Sequence, residues 1–341
     1  IVDNRKKGEL PDLLLNMGEP QKKAVVLGGF EPGTPFAFLP IRRFPDRSRA
    51  YLKIQDGCDS YCSYCIVPFA RGPCRSLGLS EVLSMVGSLA EEGYCEVVLT
   101  GIHLGEYGHD LGGGMNLNRL LSAMGKQGFP TRIRLSSLEP NEIDSGLVDM
   151  AANEKWLCRH FHIPLQSGDD GTLKRMNRKY EASDFAGLIE TIHNKIPLAG
   201  IGVDVMAGFP GEDRRAHDNT CSLITGLPVS YLHVFPFSPR PGTPAAGFDG
   251  QNDPEVIKKR AQELRDLGQR KREAFYDRCL NKEFQVLSEG WHAEEENVVK
   301  GTSDNYLPVL FPSSSPLEGR LVDVRVEKAT RNGVMGSMVA P

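Results

Sequence analysis

The amino-acid sequence predicts an α/β protein in two parts, a partial open (β/α)6 barrel followed by a small all-β barrel. Between residues 47 and 280, strand-like apolar runs alternate with helical segments, which is typical of a parallel sheet covered by helices. We count six such runs, and a full barrel of this type has eight. Beyond Asn281 the runs become shorter and are separated by Gly, Pro and Ser, which predicts a small β-barrel.

Periodicity places the individual elements. A helix over residues 80–92 carries apolar side chains at Val82, Val86 and Leu89, with Ser80 as its predicted N-cap. One long amphipathic helix is predicted over 254–280, and its basic face is either solvated or directed at RNA. Predicted strands lie at residues 50–56, 95–100, 132–136, 160–163, 201–205 and 231–235, and then at 284–287, 298–301, 307–311 and 321–326.

Composition describes an ordinary globular protein. The chain has 341 residues, of which 40% are hydrophobic and 25% charged, and no apolar run approaches the roughly 18 residues of a membrane span. Its eight cysteines, five of them scattered, favour a reducing compartment over a disulfide framework. We therefore expect a cytoplasmic monomer without a membrane segment. The net charge of −4 requires any RNA-binding surface to be local.

Three cysteines form the most informative motif. Cys58, Cys62 and Cys65 follow the first predicted strand with the spacing C-x-x-x-C-x-x-C, on a loop rich in Gly and Pro. Three thiolates can hold a 4Fe-4S cube and leave one iron open for a ligand that is not protein. A zinc knuckle or a redox thiol cluster is the alternative, although zinc sites usually pair their cysteines as C-x-x-C. A loop at the carboxyl end of a strand also places the cysteines where α/β barrels carry their active sites.

The string IQDGCDSYCSYCIVPFARGP resembles the radical SAM enzymes, and specifically their methylthiotransferase branch. TGIHLGEYG, HIPLQSG, LKRMNRKY and the S-x-R-P-G-T-x-A ending extend the resemblance to methylthiotransferases of threonylcarbamoylated adenosine in tRNA. The resemblance implies a radical SAM barrel, with the three cysteines holding the cluster and serving as the catalytic centre. Cys74 departs from the family pattern, and it is either a stray fourth ligand or an idle thiol.

The resemblance also implies where S-adenosylmethionine binds. Gln166 and Arg178 would hold its amino-acid end, and a guanidinium suits a carboxylate, although Arg178 could also belong to a solvated basic face. His103 follows the second strand and is read as a structural residue, a substrate contact or a catalyst. The full predicted set of cofactor-binding residues is Tyr64, Thr100, Gly101, Ser136, Glu139, Gln166, Arg178, Val205 and Gly208.

The C-terminal part, residues 281–341, looks like the TRAM domain, an OB-like RNA-binding module attached to this family. Lys300, Asn305, Tyr306 and Arg325 are the predicted RNA contacts. The acidic run of Glu294, Glu295 and Glu296 does not favour RNA binding and indicates an exposed turn.

Residues 1–46 contain no cysteine, and the first residue is Ile1. In the family a preceding domain supplies three cysteines for a second 4Fe-4S cluster associated with sulfur delivery. The segment is therefore expected to be a remnant of that domain plus a linker, either because the sequence is a fragment or because the protein is naturally truncated. We expect one cluster in this chain and the second only in a full-length protein.

The resemblance implies a methylthiotransferase whose reduced cluster cleaves S-adenosylmethionine to a 5′-deoxyadenosyl radical, which abstracts hydrogen from an adenine carbon. Sulfur insertion and methylation would give a methylthio group on carbon two of N6-threonylcarbamoyladenosine, next to the anticodon of tRNA. An electron donor of flavodoxin or ferredoxin type and a sulfur donor would be required. The alternatives are isopentenyladenosine in tRNA, a ribosomal protein aspartate, or a truncated RNA-binding relative without catalysis.

Overall fold

A computed structural model describes Val2 and residues 6–16, 36–293 and 295–339 of the chain. Parts of the predicted N-terminal remnant, Glu294 of the acidic run and the last two residues lie outside the described residues. None of the described helices has the length and hydropathy needed to cross a membrane.

Six parallel strands form two three-stranded sheets, in agreement with the predicted α/β pattern. The first sheet has the order β1-β4-β5 and the second β6-β7-β8. Their bounds are Ala50–Lys53 (β1), Glu96–Thr100 (β4), Arg132–Leu135 (β5), His160–Gln166 (β6), Gly200–Ala207 (β7) and Tyr231–Pro236 (β8). A single bridge between Ile133 and Leu157 connects the two sheets, and no ladder between described residues joins β1 to β8. The barrel is therefore open.

The first predicted strand differs from the structure. The run 50–56 breaks after Lys53, because residues 55–56 form a separate short strand that pairs antiparallel with a partner about 20 residues further on. These two strands are Gln55–Asp56 (β2) and Arg75–Ser76 (β3). The cysteine loop lies between them, so this small sheet fixes both ends of the loop.

The bounds of the described α-helices are Leu10–Asn16 (α1), Val67–Arg71 (α2), Leu79–Glu91 (α3), Leu117–Gln127 (α4), Ser145–Asn153 (α5), Asp170–Arg175 (α6), Ala182–Lys195 (α7), Arg214–Gly226 (α8) and Pro254–Arg278 (α9). Helices α3, α4, α5, α7, α8 and α9 bury apolar side chains in the core that they share with the two sheets. Short 3-10 helices lie at Lys6–Glu9, Leu104–Glu106, His109–Leu111, Pro140–Glu142 and Pro244–Gly247. Leu89, Leu99, Phe185 and Ile201 are fully buried in the large core between strands and helices.

The predicted N-cap of the first core helix is wrong. Helix α3 starts one residue before Ser80, and its N-cap is Gly78, whose backbone N–H donates to the Glu81 carboxylate at 3.1 Å. The Glu81 side chain therefore accepts a hydrogen bond from a free backbone N–H at the start of the helix, and no serine cap is needed. The predicted long helix is confirmed as α9, with Asp253 as its N-cap.

Five C-terminal strands form a closed barrel in the order β10-β11-β13-β12-β9. They are Glu283–Trp291 (β9), Val298–Ser303 (β10), Pro308–Pro312 (β11), Leu321–Thr330 (β12) and Gly333–Met338 (β13). The sequence predicted the first four strands and missed β13, whose parallel pairing with β11 closes the barrel.

A buried ionic network joins the barrel to the core. The Glu96 carboxylate lies between the guanidinium groups of Arg132 and Arg134, at 2.7 and 2.9 Å from their Nε atoms. Both arginines also donate to carbonyls of the barrel, those of Gln285 and Ser303 at 2.8 Å. The β10–β11 turn therefore packs against the amino ends of the core strands, opposite the cysteine loop.

Candidate active site

The cysteine loop is folded tightly back on itself. Gly57 has φ +82°, and a Cβ there would lie 1.9 Å from the carbonyl oxygen of Pro73, so the turn requires glycine. The Cys58 N–H donates to the Gly72 carbonyl at 3.0 Å, and the Cys65 N–H donates to the Cys62 carbonyl at 2.9 Å. The second contact closes a turn between Cys62 and Cys65, and the charges of Cys58 and Cys62 act on the Cys65 thiol, so the three cysteines lie near one another.

A second segment, residues 175–178, clamps this loop from the opposite sheet. The Asn177 side chain donates to the carbonyls of Ser60 and Tyr61 at 3.3 and 2.9 Å. The Ser63 N–H donates to the Met176 carbonyl at 3.0 Å. Tyr61 and Asn177 both adopt the left-handed region, with φ of 45° and 60°. Such backbone strain is concentrated at functional sites, where the surrounding structure holds it in place.

The loops at the carboxyl ends of the strands enclose a cleft of about 230 Å³ beside the cysteine loop. Predicted residues Cys62, Glu139 and Arg178 line it. The remaining lining residues are Asp59, Ser60, His103, Glu106, Asn141, Glu142, Asn177, Lys179 and Tyr180. Active sites of α/β barrels lie at this end of the strands.

The thiols differ in their electrostatics. Burial alone would raise the pKa of Cys58, but hydrogen bonds from His103 and Ser60 lower it below its usual value. The His103 Nδ1 lies 3.6 Å from the Cys58 sulfur, and the other ring nitrogen forms an ion pair with Glu142. Burial lowers the pKa of His103, but Cys58 and Glu142 outweigh it and raise the value to about 10. His103 therefore supplies a positive charge that favours the Cys58 thiolate.

Arg178 supplies the second positive charge of the cleft. Its Nη1 donates to the Cys62 sulfur at 3.3 Å, its Nη2 forms an ion pair with Glu139, and its Nε donates to the Tyr180 hydroxyl at 3.0 Å. The Tyr64 hydroxyl lies 3.5 Å from Nη1. The structure thus brings the predicted residues Tyr64, Glu139 and Arg178 together around one thiol of the triad.

Cys65 and Cys74 are less activated. Burial raises the pKa of Cys65, whose sulfur accepts from the Val67 N–H at 3.5 Å. Burial and the adjacent Asp59 carboxylate raise the pKa of Cys74 far above its usual value.

Four further predicted residues lie at the carboxyl ends of β4, β5 and β6 and do not line this cleft. Thr100 ends β4 and Gly101 follows it, and the Ser136 N–H donates to the Leu99 carbonyl at 3.1 Å. The Ser136 hydroxyl oxygen is buried and has no hydrogen-bond partner among the described residues. Gln166 ends β6 at a register shift, with φ 62°. A buried hydroxyl without a partner is expected where a ligand completes the site.

Val205 and Gly208 lie behind this surface. The Val205 side chain is fully buried in the core, so only its backbone could contact a ligand. Gly208 has φ +78°, and a Cβ there would lie 2.4 Å from the Ile257 side chain of α9. Its glycine identity is therefore required by packing against α9 as well as by its backbone conformation.

The four predicted RNA contacts separate into two groups. Lys300 and Arg325 are exposed on the barrel, where Arg325 pairs with Glu283 at 2.5 Å. Asn305 is fully buried and its side chain donates to the Leu198 carbonyl at 2.8 Å. Asn305 therefore fixes the barrel to the core and is not accessible to RNA. The prediction for Asn305 is wrong because a polar turn has the same sequence pattern whether it is exposed or buried.

Tyr306 points toward the core rather than outward. Its ring stacks on His160 with centroids 4.4 Å apart, and the Arg134 guanidinium lies 5.3 Å from its centroid. The ring is 40% exposed. Tyr306 therefore lies at the end of the open barrel where the strands begin, opposite the cysteine loop.

Sequence reasoning missed the roles of Asn177 and Glu142. Asn177 lies within the LKRMNRKY string, but its clamp on the cysteine loop spans more than 110 residues. Asparagine is enriched in the left-handed region, which is the one local signal that could have marked it.

The donor chemistry of this site fits an iron–sulfur cluster and a sulfonium cofactor. Three cysteines on one turn, two of them beside cations, match thiolate ligation of iron. The buried Ser136 hydroxyl has no hydrogen-bond partner among the described residues and could donate to a ligand. Cys58, Cys62 and Cys65 would hold the cluster.

Comparison with protein-family models gives a match to the radical SAM superfamily over residues 52–224. This segment contains the cysteine triad, the clamp segment, four of the six core strands (β4 to β7) and the second half of β1.

Curated relatives cover nearly the whole chain. The threonylcarbamoyladenosine tRNA methylthiotransferases MtaB of Bacillus subtilis and Aquifex aeolicus are 38% and 34% identical, over 85% and 91% of this chain. The chain spans 65% and 73% of those two relatives. The tRNA-2-methylthio-N(6)-dimethylallyladenosine synthase of Desulforamulus reducens is 31% identical over 97% of this chain and 72% of its own length.

Among solved structures, the radical S-adenosylmethionine methyltransferase TsrM from Kitasatospora setae, with cobalamin and a 4Fe-4S cluster bound, matches with a TM-score of 0.50. It is 17% identical and covers 58% of this chain and 38% of its own. At this identity the match supports the fold alone.

Proposed function

The chain belongs to the radical SAM superfamily and, within it, to the methylthiotransferase family, and on this premise we propose that it acts on an adenosine of tRNA. The product we infer is the 2-methylthio derivative of N6-threonylcarbamoyladenosine, next to the anticodon. The observation that carries the proposal is the compact turn of Cys58, Cys62 and Cys65 beside a cleft that contains Arg178.

A 4Fe-4S cluster and S-adenosylmethionine, which membership of this family implies, supply reductive cleavage of the sulfonium when they are bound. The chain's own residues bind and orient. His103 and Arg178 compensate the negative charge of the thiolates, and Arg178 with Glu139 offers partners of both signs to the two ends of an amino acid. Asn177 holds the cysteine turn in place.

The tRNA substrate is supported by the relatives and by the attached barrel. Two kinds of relative differ in the modified adenosine that their names specify, threonylcarbamoyl or dimethylallyl. The higher identity to the first kind favours threonylcarbamoyladenosine. We propose that Lys300 and Arg325 of the barrel, with the basic side of α9, contact tRNA phosphates, since a local positive surface is sufficient. The barrel would then serve as a TRAM domain.

The chain spans 65% and 73% of the two MtaB relatives, and the step that we assign to the described cleft is hydrogen abstraction, with an electron donor of flavodoxin or ferredoxin type. The complete reaction also needs a sulfur donor, and a second 4Fe-4S cluster is expected only in a full-length protein. A test of substrate choice must therefore not depend on sulfur insertion.

Deuterium transfer provides that test. Reconstituted chain is incubated with S-adenosylmethionine, reductant and tRNA deuterated at carbon two of threonylcarbamoyladenosine, and 5′-deoxyadenosine is analysed by mass spectrometry. We expect one deuterium in 5′-deoxyadenosine, and none with tRNA whose deuterated adenosine carries the isopentenyl group. Equal transfer from both tRNAs, or transfer only from the second, would overturn the assigned substrate.

A further inference from the structure

A cluster of three polar side chains lies on the inner face of the second sheet and has no part in the cofactor cleft. We call it the lumen cluster, and it consists of His162 on β6, Asp204 on β7 and His233 on β8. In the register of β7 and β8, Asp204 lies directly beside His233. In the register of β6 and β7, His162 lies beside Gly202, which is two residues before Asp204 and on the same face of the sheet. Three adjacent parallel strands therefore present three ligand-type side chains to one point.

The candidate ligand atoms of these side chains lie close to the spacing that one metal ion requires. The Asp204 Oδ1 lies 2.9 Å from the His162 Nε2 and 3.4 Å from the His233 Nδ1. All three candidate ligand atoms lie within 4.8 Å of one another. A tetrahedral ion with ligands at about 2.0–2.1 Å requires neighbouring ligand atoms to be about 3.3 Å apart. The two imidazole rings are nearly perpendicular, at 85°, so that they approach the carboxylate from different sides.

A further residue orients the cluster from outside. The Nδ1 of His162 lies 3.0 Å from the Ser137 hydroxyl, which leaves its Nε2 directed at Asp204. Metal-binding histidines characteristically use their second nitrogen in this way. Tyr231 packs beside the cluster, with its ring centroid 5.3 Å from that of His233. Its ring also packs against Tyr306, with centroids 5.8 Å apart, and so lies between the cluster and Tyr306.

The charge of the cluster also favours a cation. Two imidazoles and one carboxylate offer two neutral ligands and one anionic ligand. His233 is half exposed, so one side of the cluster faces the open lumen. Two histidines and one carboxylate leave open positions on a bound metal.

We propose that His162, Asp204 and His233 bind one divalent transition-metal ion of the zinc class, with an open coordination position directed into the lumen. This site is separate from the iron ligands, and the proposal does not rest on the proposed function. It adds a Lewis-acidic centre to the lumen wall that could hold an oxygen or nitrogen atom of a molecule entering the barrel.

Cobalt(II) is a suitable probe because its visible spectrum reports the ligand set. The substitutions Cys58→Ala, Cys62→Ala and Cys65→Ala are combined in one chain to remove the competing thiolates. The fold of this triple variant is checked by circular dichroism. We expect it to bind one cobalt(II) with a nitrogen–oxygen spectrum. Asp204→Asn and His233→Gln should each weaken binding more than tenfold, and Ser137→Ala by about tenfold. His193→Gln, on α7, should leave binding unchanged.

A second measurement keeps the proposal testable if the triple variant does not fold. Zinc and iron are then counted in the reconstituted parent chain and in its Asp204→Asn variant after dialysis against zinc. The proposal predicts one zinc in the parent and none in the variant, with equal iron. Equal zinc in both chains, or no zinc in the parent, would overturn it. Variants that bind metal like the parent but bind tRNA more weakly would identify the cluster as a substrate contact instead.

Discussion

The guanidinium of Arg178 lies 3.3 Å from the sulfur of Cys62, measured from Nη1 to Sγ, although 115 residues separate the two along the chain. The same guanidinium forms an ion pair with Glu139. One residue therefore connects a predicted iron ligand to the acidic side of the cleft. This contact joins the loops of the two sheets at the lining of the cleft.

Removing this contact should weaken cofactor binding. Arg178→Ala leaves Glu139 without its cation and removes the donor beside Cys62, and Arg178→Lys keeps the charge but not the planar fork. We expect the affinity for S-adenosylmethionine to fall by about 10- to 100-fold in the first variant and by less in the second. Titration calorimetry of the reconstituted chain measures this. Lys174→Ala, at an exposed position of α6, is the control, and an unchanged affinity in Arg178→Ala would refute the role.

The clamp of Asn177 on the cysteine turn predicts coupled losses of stability and iron. Asn177→Ala removes two hydrogen bonds and places alanine in the left-handed region, at a cost of about 2 kcal/mol. Asn177→Gly restores the backbone freedom and should cost about half as much. Asn281→Ala, also at positive φ but outside the site, should lose stability without losing iron. Urea unfolding and iron retention after chelation separate these outcomes; equal iron retention in all three variants would argue against the clamp.

Docking of the C-terminal barrel depends on Gly200. A Cβ at this position would lie 2.0 Å from the Asn305 carbonyl oxygen. Gly200→Ala should therefore destabilise the chain by about 1–3 kcal/mol and increase proteolysis between α9 and β9. Gly187→Ala on α7, where a Cβ meets nothing within 4 Å, should instead stabilise by up to about 1 kcal/mol. Thermal unfolding checks both, and two variants of equal stability would contradict the docking.

The ionised Asp204 predicts a specific acid sensitivity. Its pKa is about 2 in the folded chain and higher when unfolded, so its stabilisation is present above about pH 4 and is lost as the pH falls toward 2. Between pH 5 and pH 3 the parent chain should lose about 1 kcal/mol more stability than Asp204→Asn. Urea unfolding at the two pH values measures the difference. Parallel losses in both chains would show that His162 and His233 do not stabilise this carboxylate.

Local patterns predicted the strand–helix order and the cysteine triad, because alternation and spacing are visible within a few residues. The break after Lys53 was not predictable, since β2 is defined by pairing with β3 across the cysteine loop. Strand β13 was missed because its own sequence contains glycine and has little strand character. It is a strand because it pairs with β11 and β12.

The candidate site was predictable to a similar extent. Motif resemblance assigned Arg178 to the cofactor, and the structure places this residue in the lining of the cleft. The partners that position it, and the clamp by Asn177, arise from contacts between the two sheets. For Asn305 and Tyr306 the sequence predicted contacts with RNA. The structure instead uses this turn to pack the barrel on the core, although its polar sequence is typical of an exposed loop.

Reductive cleavage of S-adenosylmethionine tests the central assignment most directly. The chain is reconstituted anaerobically with iron and sulfide, reduced, and assayed for 5′-deoxyadenosine in parallel with Cys62→Ala and Cys74→Ala. We expect 5′-deoxyadenosine from the parent and from Cys74→Ala, which keeps all three ligands, and none from Cys62→Ala. A parent chain that holds about four irons and yet forms no 5′-deoxyadenosine would contradict it.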